Sequence, residues 1–263
     1  MLADFRPVNY FAMNDAQQKS APNTHHMKHT SSMPKYFEMV TVINRDVDRK
    51  RWQNIEQEFF RAGIIHYQRF KAVEGNRLTE DQVKKHVTAA AYQTIKQRVR
   101  TNHSQLSTFN QVACFLSHTT LWSQLVRSQQ PYRTIAEDDI IVAPDLLYRI
   151  SQSLPALPSD ADIILWGDID ASRTPTSAVM PGQEWVRVRR FFGCHMYTIK
   201  REAAQKLLAK SFPMSCQLDS AIFMLADELN LKIYAHEPTL VRQGRFPSTI
   251  QIAGDCLSCG QLR

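Results

Sequence analysis

The sequence predicts an α/β protein in which helices flank a mostly parallel central sheet. Short runs of β-branched residues alternate with amphipathic helical segments, turn residues separate them, and no internal repeat interrupts that order. The 263 residues, 43% of them hydrophobic and 22% charged, suffice for one domain with a buried core. We expect this domain at 38–252, between a polar, mobile extension at 1–37 and a tail at 253–263.

The first half of the domain contains a strand–helix–strand unit followed by two helices. The residue pattern predicts a strand at 39–43, a helix at 49–62 and a strand at 64–70. A basic amphipathic helix is predicted at 82–100, where apolar residues recur every fourth position, and a long helix at 107–127. Strands joined by crossover helices are typical of parallel sheets.

The second half continues the alternation with shorter elements. Strands are predicted at 132–136, 162–166, 186–190, 194–199 and 231–235, and helices at 144–153, 201–208 and 220–229. The strand at 132–136 leads directly into an acidic segment.

Three consecutive carboxylates, Glu137, Asp138 and Asp139, follow this strand. Carboxylate oxygens are the preferred ligands of Mg²⁺ and Mn²⁺, and open α/β sheets bind ligands at the carboxyl ends of their strands. Alternate side chains of an extended segment point the same way, so Glu137 and Asp139 share a side and Asp138 lies on the other. Taken alone, the segment fits a metal site and a solvated acidic turn equally well.

Charge and cysteine usage limit the partners. The net charge of +7 is dispersed and no nucleic-acid-binding motif accompanies it, so we do not expect the protein to bind nucleic acid. The basic helix leaves open a peripheral contact with an anionic membrane surface. No apolar run is long enough to span a membrane or resembles a signal peptide, which predicts a cytoplasmic location. Cys256 and Cys259 form a single CxxC, which predicts incidental thiols more strongly than zinc.

Several short motifs occur in a fixed order along the domain. They are Val42 to Arg45 with Asp48 and Arg49, Ala72 to Gly75, Ala113 to His118 with Trp122, Glu137 to Asp139, Asp162 to Gly167, Gly193 with Tyr197, Gln217 to Asp219, and Pro238 with Gln243 and Ser248 to Ile250. The ordered set resembles glycosyltransferase family 25, which includes bacterial lipopolysaccharide β-1,4-galactosyltransferases and procollagen galactosyltransferases. Three positions depart from the family pattern: Ala113 replaces the usual glycine, Arg45 stands where leucine is common, and Trp166 replaces a smaller apolar residue. These departures affect the expected fit of the donor or the acceptor.

The resemblance implies a GT-A-like fold and inverting transfer of a hexose from a UDP-sugar to a saccharide, glycan or other hydroxylated acceptor. It favours galactose, with UDP-glucose as the alternative donor and a catalytically inactive, sugar- or partner-binding member as the alternative class. As the glycosidic bond breaks, negative charge grows on the leaving diphosphate, and a carboxylate-held Mn²⁺ or Mg²⁺ stabilises that charge. The intact acidic triplet favours an active enzyme.

The expected roles follow from the resemblance together with residue chemistry. Asp139 is the expected metal ligand, and Glu137 is the expected second ligand. In the alternative arrangement, Glu137 or Asp138 binds the ribose or a metal-bound water. Asp219 is the expected general base, with a helix-capping carboxylate as its structural alternative; Asp168 and Asp170 are the other candidates for the base. Donor binding is assigned to Asn44, Arg45, Arg49, Ser117, His118, Glu137, Asp138, Gln243 and Ser248. A core role for His118 and a surface salt bridge for Arg49 are the alternatives.

Overall fold

The computed structural model describes residues 33–174, 184–244 and 246–250. The strands are β1 (Val40–Asn44), β2 (Tyr67–Lys71), β3 (Tyr132–Glu137), β4 (Ile140–Val142), β5 (Ile163–Thr174), β6 (Trp185–Lys200), β7 (Ile233–His236) and β8 (Val241–Gln243). The helices are α1 (Arg49–Ala62), α2 (Glu80–His86), α3 (Ala89–Gln97), α4 (Phe109–Arg127), α5 (Leu146–Ser153), α6 (Arg201–Lys210) and α7 (Leu218–Glu228). The extension predicted before residue 33 and the tail predicted from 253 lie outside the described residues.

Six strands form the central sheet in the order β2–β1–β3–β6–β5–β7. β1 pairs in parallel with β2 and β3, and β5 pairs in parallel with β7. β6 is antiparallel to both β3 and β5, so five strands run in one direction and β6 runs against them. The predicted α/β class with a mostly parallel sheet is confirmed.

The order of the strands creates a crevice at the carboxyl ends of β1 and β3. From β1 the chain passes to β2 on one side, and later to β3 on the other side of β1. The carboxyl ends of β1 and β3 therefore stand next to each other where the connections diverge, which is where open α/β sheets bind ligands. Ile43 pairs with Glu137, so Asn44 and the acidic segment meet there.

Helices cover both faces of the sheet, so successive strand residues are buried on opposite sides. Ile163 and Leu165 belong to the core under α2, α3, α4, α6 and α7, whereas Ile164 and Trp166 belong to the core under α1 and α5. A short 3₁₀ turn at Lys35–Phe37 packs into the second core, where Phe37 is fully buried. The packed domain therefore begins before residue 38, the start that the composition predicts.

The basic segment 82–100 is two helices rather than the single helix predicted. Val87 has an extended backbone and forms a β-bridge with Met214, and Thr88 then caps α3 by accepting the N–H of Ala91. An extended residue followed by a β-branched N-cap ends one helix and begins the next. The contact of this segment with an anionic membrane surface stays a prediction.

Two further features differ from the sequence-based expectation. The two strands predicted at 186–190 and 194–199 are one continuous strand, β6. The short strands β4 and β8 were not predicted, and they pair with each other in an antiparallel ribbon that places Ile140 opposite Gln243. Among the helices described, none has the length and apolar character needed to cross a bilayer.

Candidate active site

A cavity of about 320 Å³ opens at the crevice between β1 and β3. The predicted residues that line it are Asn44, Arg45, Ser117, His118, Glu137, Asp138, Asp139, Asp219, Gln243 and Ser248. Further residues that line it include Arg51, Cys114, Phe192, Gly193 and His195. Residues from seven of the eight sequence motifs, spread over some 200 positions, thus line one cavity at the end of the sheet where the strand order predicts a ligand, whereas the motif from Asp162 to Gly167 contributes none.

Glu137 lies between two buried histidines. Its Oε1 is 3.6 Å from Nε2 of His118, and its Oε2 is 3.7 Å from Nδ1 of His195. Burial opposes ionisation of Glu137, but the two histidines outweigh burial and hold the pKa of this carboxyl well below its ordinary value. Burial alone would lower the pKa of His195, yet Glu137, followed by Asp139 and Asp168, raises it. Glu137 is therefore a carboxylate at neutral pH.

Asp139 has the opposite electrostatic environment. Burial, followed by the charge of Glu137, raises the pKa of Asp139 to about 6. Its Oδ1 is buried and accepts no hydrogen bond within the described chain, and both ring nitrogens of His195 are in the same situation. Buried polar atoms without partners are uncommon in folded proteins, and a ligand bound here would satisfy these three atoms.

Glu137, Asp139 and His195 together fit a divalent cation. One ligand atom from each residue lies within 4.8 Å of the others. Two carboxylates and an imidazole are suitable ligands for Mn²⁺, and coordination would satisfy the atoms that have no partner. As predicted from the strand alternation, Glu137 and Asp139 share this side.

Asp138 is not part of this group of ligand candidates and is held by two donors. The amide Nδ2 of Asn44 donates to its Oδ2 at 2.6 Å, and Nη1 of Arg51 donates to its Oδ1 at 2.9 Å. Nε of Arg69 donates to Oδ1 of Asn44 at 2.7 Å, which fixes the orientation of that amide. Asp138 therefore anchors the acidic segment to β1 and α1.

Of the two arginines near the start of α1, the structure places Arg51, and not Arg49, at the cavity. Arg49 is exposed and does not line the cavity, so the predicted contact with a diphosphate is not supported by its position. Arg51 is buried, and its Nη1 also donates to Oδ2 of Asp139 at 3.2 Å. Arg45 does line the cavity and forms an ion pair with Asp48 at 2.5 Å.

His118 has the core position that the sequence offered as one alternative, and its role in donor binding stays a prediction. It is fully buried in α4, and its Nδ1 is 2.9 Å from the hydroxyl of Tyr197, which also accepts the indole N–H of Trp122 at 2.8 Å. Its Nε2 nevertheless faces Glu137, so it supports the acidic segment from behind. Ser117 uses its hydroxyl on the backbone, donating to the carbonyl of Ala113 and accepting the N–H of Val73.

Asp219 lies in the first turn of α7 and lines the cavity. Its Oδ2 accepts the backbone N–H of Gly193 at 3.0 Å, and its Oδ1 accepts the N–H of Ser220 at 2.6 Å. Gly193 has φ 77°, and a Cβ at this position would stand 2.8 Å from the His195 ring. Only glycine therefore fits between Asp219, the candidate base, and His195, the candidate metal ligand. Asp168 does not line the cavity, and the side chain of Asp170 lies outside the described residues.

The segment after β8 crosses the same cavity. The N–H of Gly244 donates to the carbonyl of Asp139 at 2.5 Å, and Nε2 of Gln243 is 3.5 Å from Oδ2 of Asp139. Nη2 of Arg51 donates to the carbonyl of Pro247 at 2.6 Å. Ser248 lines the cavity beyond this point, and its predicted role in donor binding stays a prediction.

Sequence reasoning missed Arg51, His195 and Cys114. His195 could have been found from strand periodicity, because residues two apart on a strand share a face. His195 lies two residues from each member of the motif formed by Gly193 and Tyr197. Arg51 follows Arg49 by two positions on a helix, which places the two side chains on different faces, and the sequence does not show which face meets the sheet.

Comparison with known proteins identifies the class. A family model described as "Glycosyltransferase family 25 (LPS biosynthesis protein)" matches residues 37–222, which is most of the described domain. The chain is thus a member of the glycosyltransferases, and within them it belongs to glycosyltransferase family 25. A Drosophila melanogaster protein described as a glycosyltransferase 25 family member is 25% identical over 194 residues, covering 72% of this chain and 31% of that protein. The chain therefore matches about a third of this relative's length.

Two solved structures show distant similarity. A glycosyltransferase involved in the glycosylation of the major capsid of PBCV-1 aligns with a TM-score of 0.41 and 7% identity, over 80% of this chain and 93% of that chain. A197 from STIV aligns with a TM-score of 0.38 and 11% identity, over 75% and 80% of the two chains. At these scores neither structure bears on the site.

Proposed function

We propose that this chain is a metal-dependent, inverting glycosyltransferase that transfers a hexose from a UDP-sugar to a saccharide or another hydroxylated acceptor. The observation that carries the proposal is the set of buried atoms without partners on Asp139 and His195, next to the ionised Glu137, at the crevice of a family 25 domain. A cation bound there would stabilise the negative charge that develops on the departing diphosphate.

The ligand set favours Mn²⁺ over Mg²⁺. Mg²⁺ prefers oxygen ligands and retains its waters, whereas imidazole binds transition metals more readily. Glu137 and Asp139 supply the charge, and His195 supplies the nitrogen. UDP-galactose is the donor that the family resemblance favours, and UDP-glucose is the alternative.

Asp219 is the proposed general base. It shares the cavity with the cation ligands, and two backbone N–H groups fix its carboxylate. A base in this position would take the proton of the acceptor hydroxyl while that oxygen attacks the sugar carbon. Asp168 is the weaker candidate because it does not line the cavity.

Donor binding is tested by thermal unfolding with UDP, UDP-galactose or UDP-glucose, each with Mn²⁺ or EDTA. A donor at about 100 times its Kd adds about 2.7 kcal/mol of stability, which is roughly 5–11 °C in Tm for a domain of this size. We expect this shift only with Mn²⁺, and not in Asp139→Ala. Asp81→Ala, at an exposed carboxylate, is the matched control and keeps the shift. No shift with any nucleotide would refute the UDP-sugar donor.

Catalysis is tested separately from binding. Asp219→Asn should keep the Mn²⁺-dependent thermal shift and lose about 10²- to 10⁴-fold in transfer rate, because it retains an acceptor oxygen but not a base. Asp168→Asn serves as the comparison and should retain most of the activity. Donor binding without any transfer or donor hydrolysis in the unchanged protein would favour the alternative, a sugar-binding member without activity.

A further inference from the structure

Glu137 belongs to two groups of potential metal ligands. Besides its group with Asp139 and His195, one ligand atom each of Cys114, His118 and Glu137 lie within 4.8 Å of one another. We propose that Cys114, His118 and Glu137 form a second metal site for a thiophilic divalent cation such as Zn²⁺. Binding there competes with the catalytic cation because both ions need Glu137, and this competition rests on the proposed function.

The backbone already arranges this second site. Cys114 and His118 are four residues apart on α4, so their side chains lie on the same face of the helix. Glu137, at the end of β3, faces them, with its Oε1 3.6 Å from Nε2 of His118. Tetrahedral Zn²⁺, with N and O ligands at about 2.0–2.2 Å, needs them about 3.4 Å apart. The observed distance is thus within a few tenths of an ångström of the required one.

The imidazole of His118 is oriented for an ion. Nε2 is buried and has no hydrogen-bond partner within the described chain, although Nδ1 is 2.9 Å from the hydroxyl of Tyr197. With Nε2 on a cation, Nδ1 carries the proton and donates to the Tyr197 oxygen. A metal-bound histidine is commonly held in this way by a hydrogen bond from its other nitrogen. Trp122 in turn fixes Tyr197 by donating to the same oxygen at 2.8 Å.

The ligand chemistry separates the two sites. A thiolate, an imidazole and a carboxylate form a set that suits Zn²⁺, whereas the catalytic group contains no sulfur. Burial, followed by the charge of Glu137, raises the pKa of the Cys114 thiol, so the thiol is neutral until an ion binds and displaces its proton to solvent. Cys114 and His118 both line the cavity, which gives the ion an entry path.

Co²⁺ tests the sulfur ligand directly, because Co²⁺ substitutes for Zn²⁺ and a cobalt–thiolate bond gives a near-ultraviolet charge-transfer band. The full chain carrying Cys256→Ser and Cys259→Ser is titrated anaerobically, since the CxxC pair at those positions would supply thiolates of its own. We expect one equivalent of the band, removed by Zn²⁺. Adding Cys114→Ser should abolish the band, whereas adding Cys216→Ser, at another buried cysteine, should leave it unchanged. A band that survives Cys114→Ser, or no band in the parent, would overturn the inference.

Competition is measured by the electron paramagnetic resonance signal of free Mn²⁺. One equivalent of Zn²⁺ should release Mn²⁺ from the parent, and at least about tenfold more should be needed with Cys114→Ser, because one ligand is lost. Equal release from the two proteins would refute the shared use of Glu137. If Mn²⁺ does not bind at all, the proposed function fails while the cobalt band still decides the sulfur site.

Discussion

Replacing Asp139 with asparagine is expected to stabilise the metal-free protein, although it removes a proposed ligand. Burial, followed by the charge of Glu137, raises the pKa of Asp139 from 3.8 to about 6. A raised carboxyl pKa means that the folded state binds the proton more tightly than the unfolded chain, so ionisation costs stability. A rise of about two in the pKa corresponds to roughly 3 kcal/mol of lost stability, present in full above about pH 6 and absent below about pH 4. Asparagine is neutral throughout and avoids this cost.

The assay is thermal unfolding in EDTA between about pH 4 and pH 7.5. At the upper end Asp139→Asn should melt roughly 6–12 °C above the unchanged protein, and the two curves should converge as the pH falls from about 6 to 4. Asp81→Asn, at an exposed side chain, controls for net charge. Saturating Mn²⁺ should reverse the order, since the variant loses a ligand. An Asp139→Asn protein that is less stable than the unchanged protein in EDTA at about pH 7.5 would refute this account of the site.

Three further substitutions test neighbouring parts of the site. His195→Gln should weaken Mn²⁺ binding at least about tenfold by calorimetry, and unchanged affinity would exclude it as a ligand. Arg51→Met should cost about 3–5 kcal/mol in denaturant unfolding, because two buried carboxylates lose their cation; a loss below about 1 kcal/mol would contradict this. Gly167→Ala should cost about 1–3 kcal/mol in the same assay, because its Cβ would stand 2.3 Å from the carbonyl oxygen of Val241; unchanged stability would show that β8 shifts freely.

Local patterns were sufficient to predict most of the elements. The helix at 49–62 has the bounds predicted for it, because its apolar spacing is regular and Gly63 ends it in the left-handed conformation. The acidic segment was found because three adjacent carboxylates at a strand end have few structural uses. The sharing of one side by Glu137 and Asp139 followed from the pleat of the strand alone.

Non-local contacts account for what the sequence did not predict. The break between α2 and α3 depends on Met214, more than a hundred residues away, and the ribbon of β4 and β8 joins segments about a hundred residues apart. No local periodicity contains such pairings. The presence of Arg51 rather than Arg49 at the cavity is also a non-local effect, because it depends on which face of α1 packs against the sheet.

The charges around the acidic segment explain why a divalent cation suits this site. Asp138 and Asp139 share the guanidinium of Arg51, and Glu137 lies against His118 and His195. These three carboxylates and one arginine therefore leave two negative charges when the histidines are neutral. A divalent ion matches this excess, and its arrival would remove the cost of ionising Asp139. Arg51 also holds the carbonyl of Pro247 and lies over the ring of Phe246, with its Cζ 5.4 Å from the ring centroid. One arginine therefore contacts both the carboxylates and the segment that crosses the cavity.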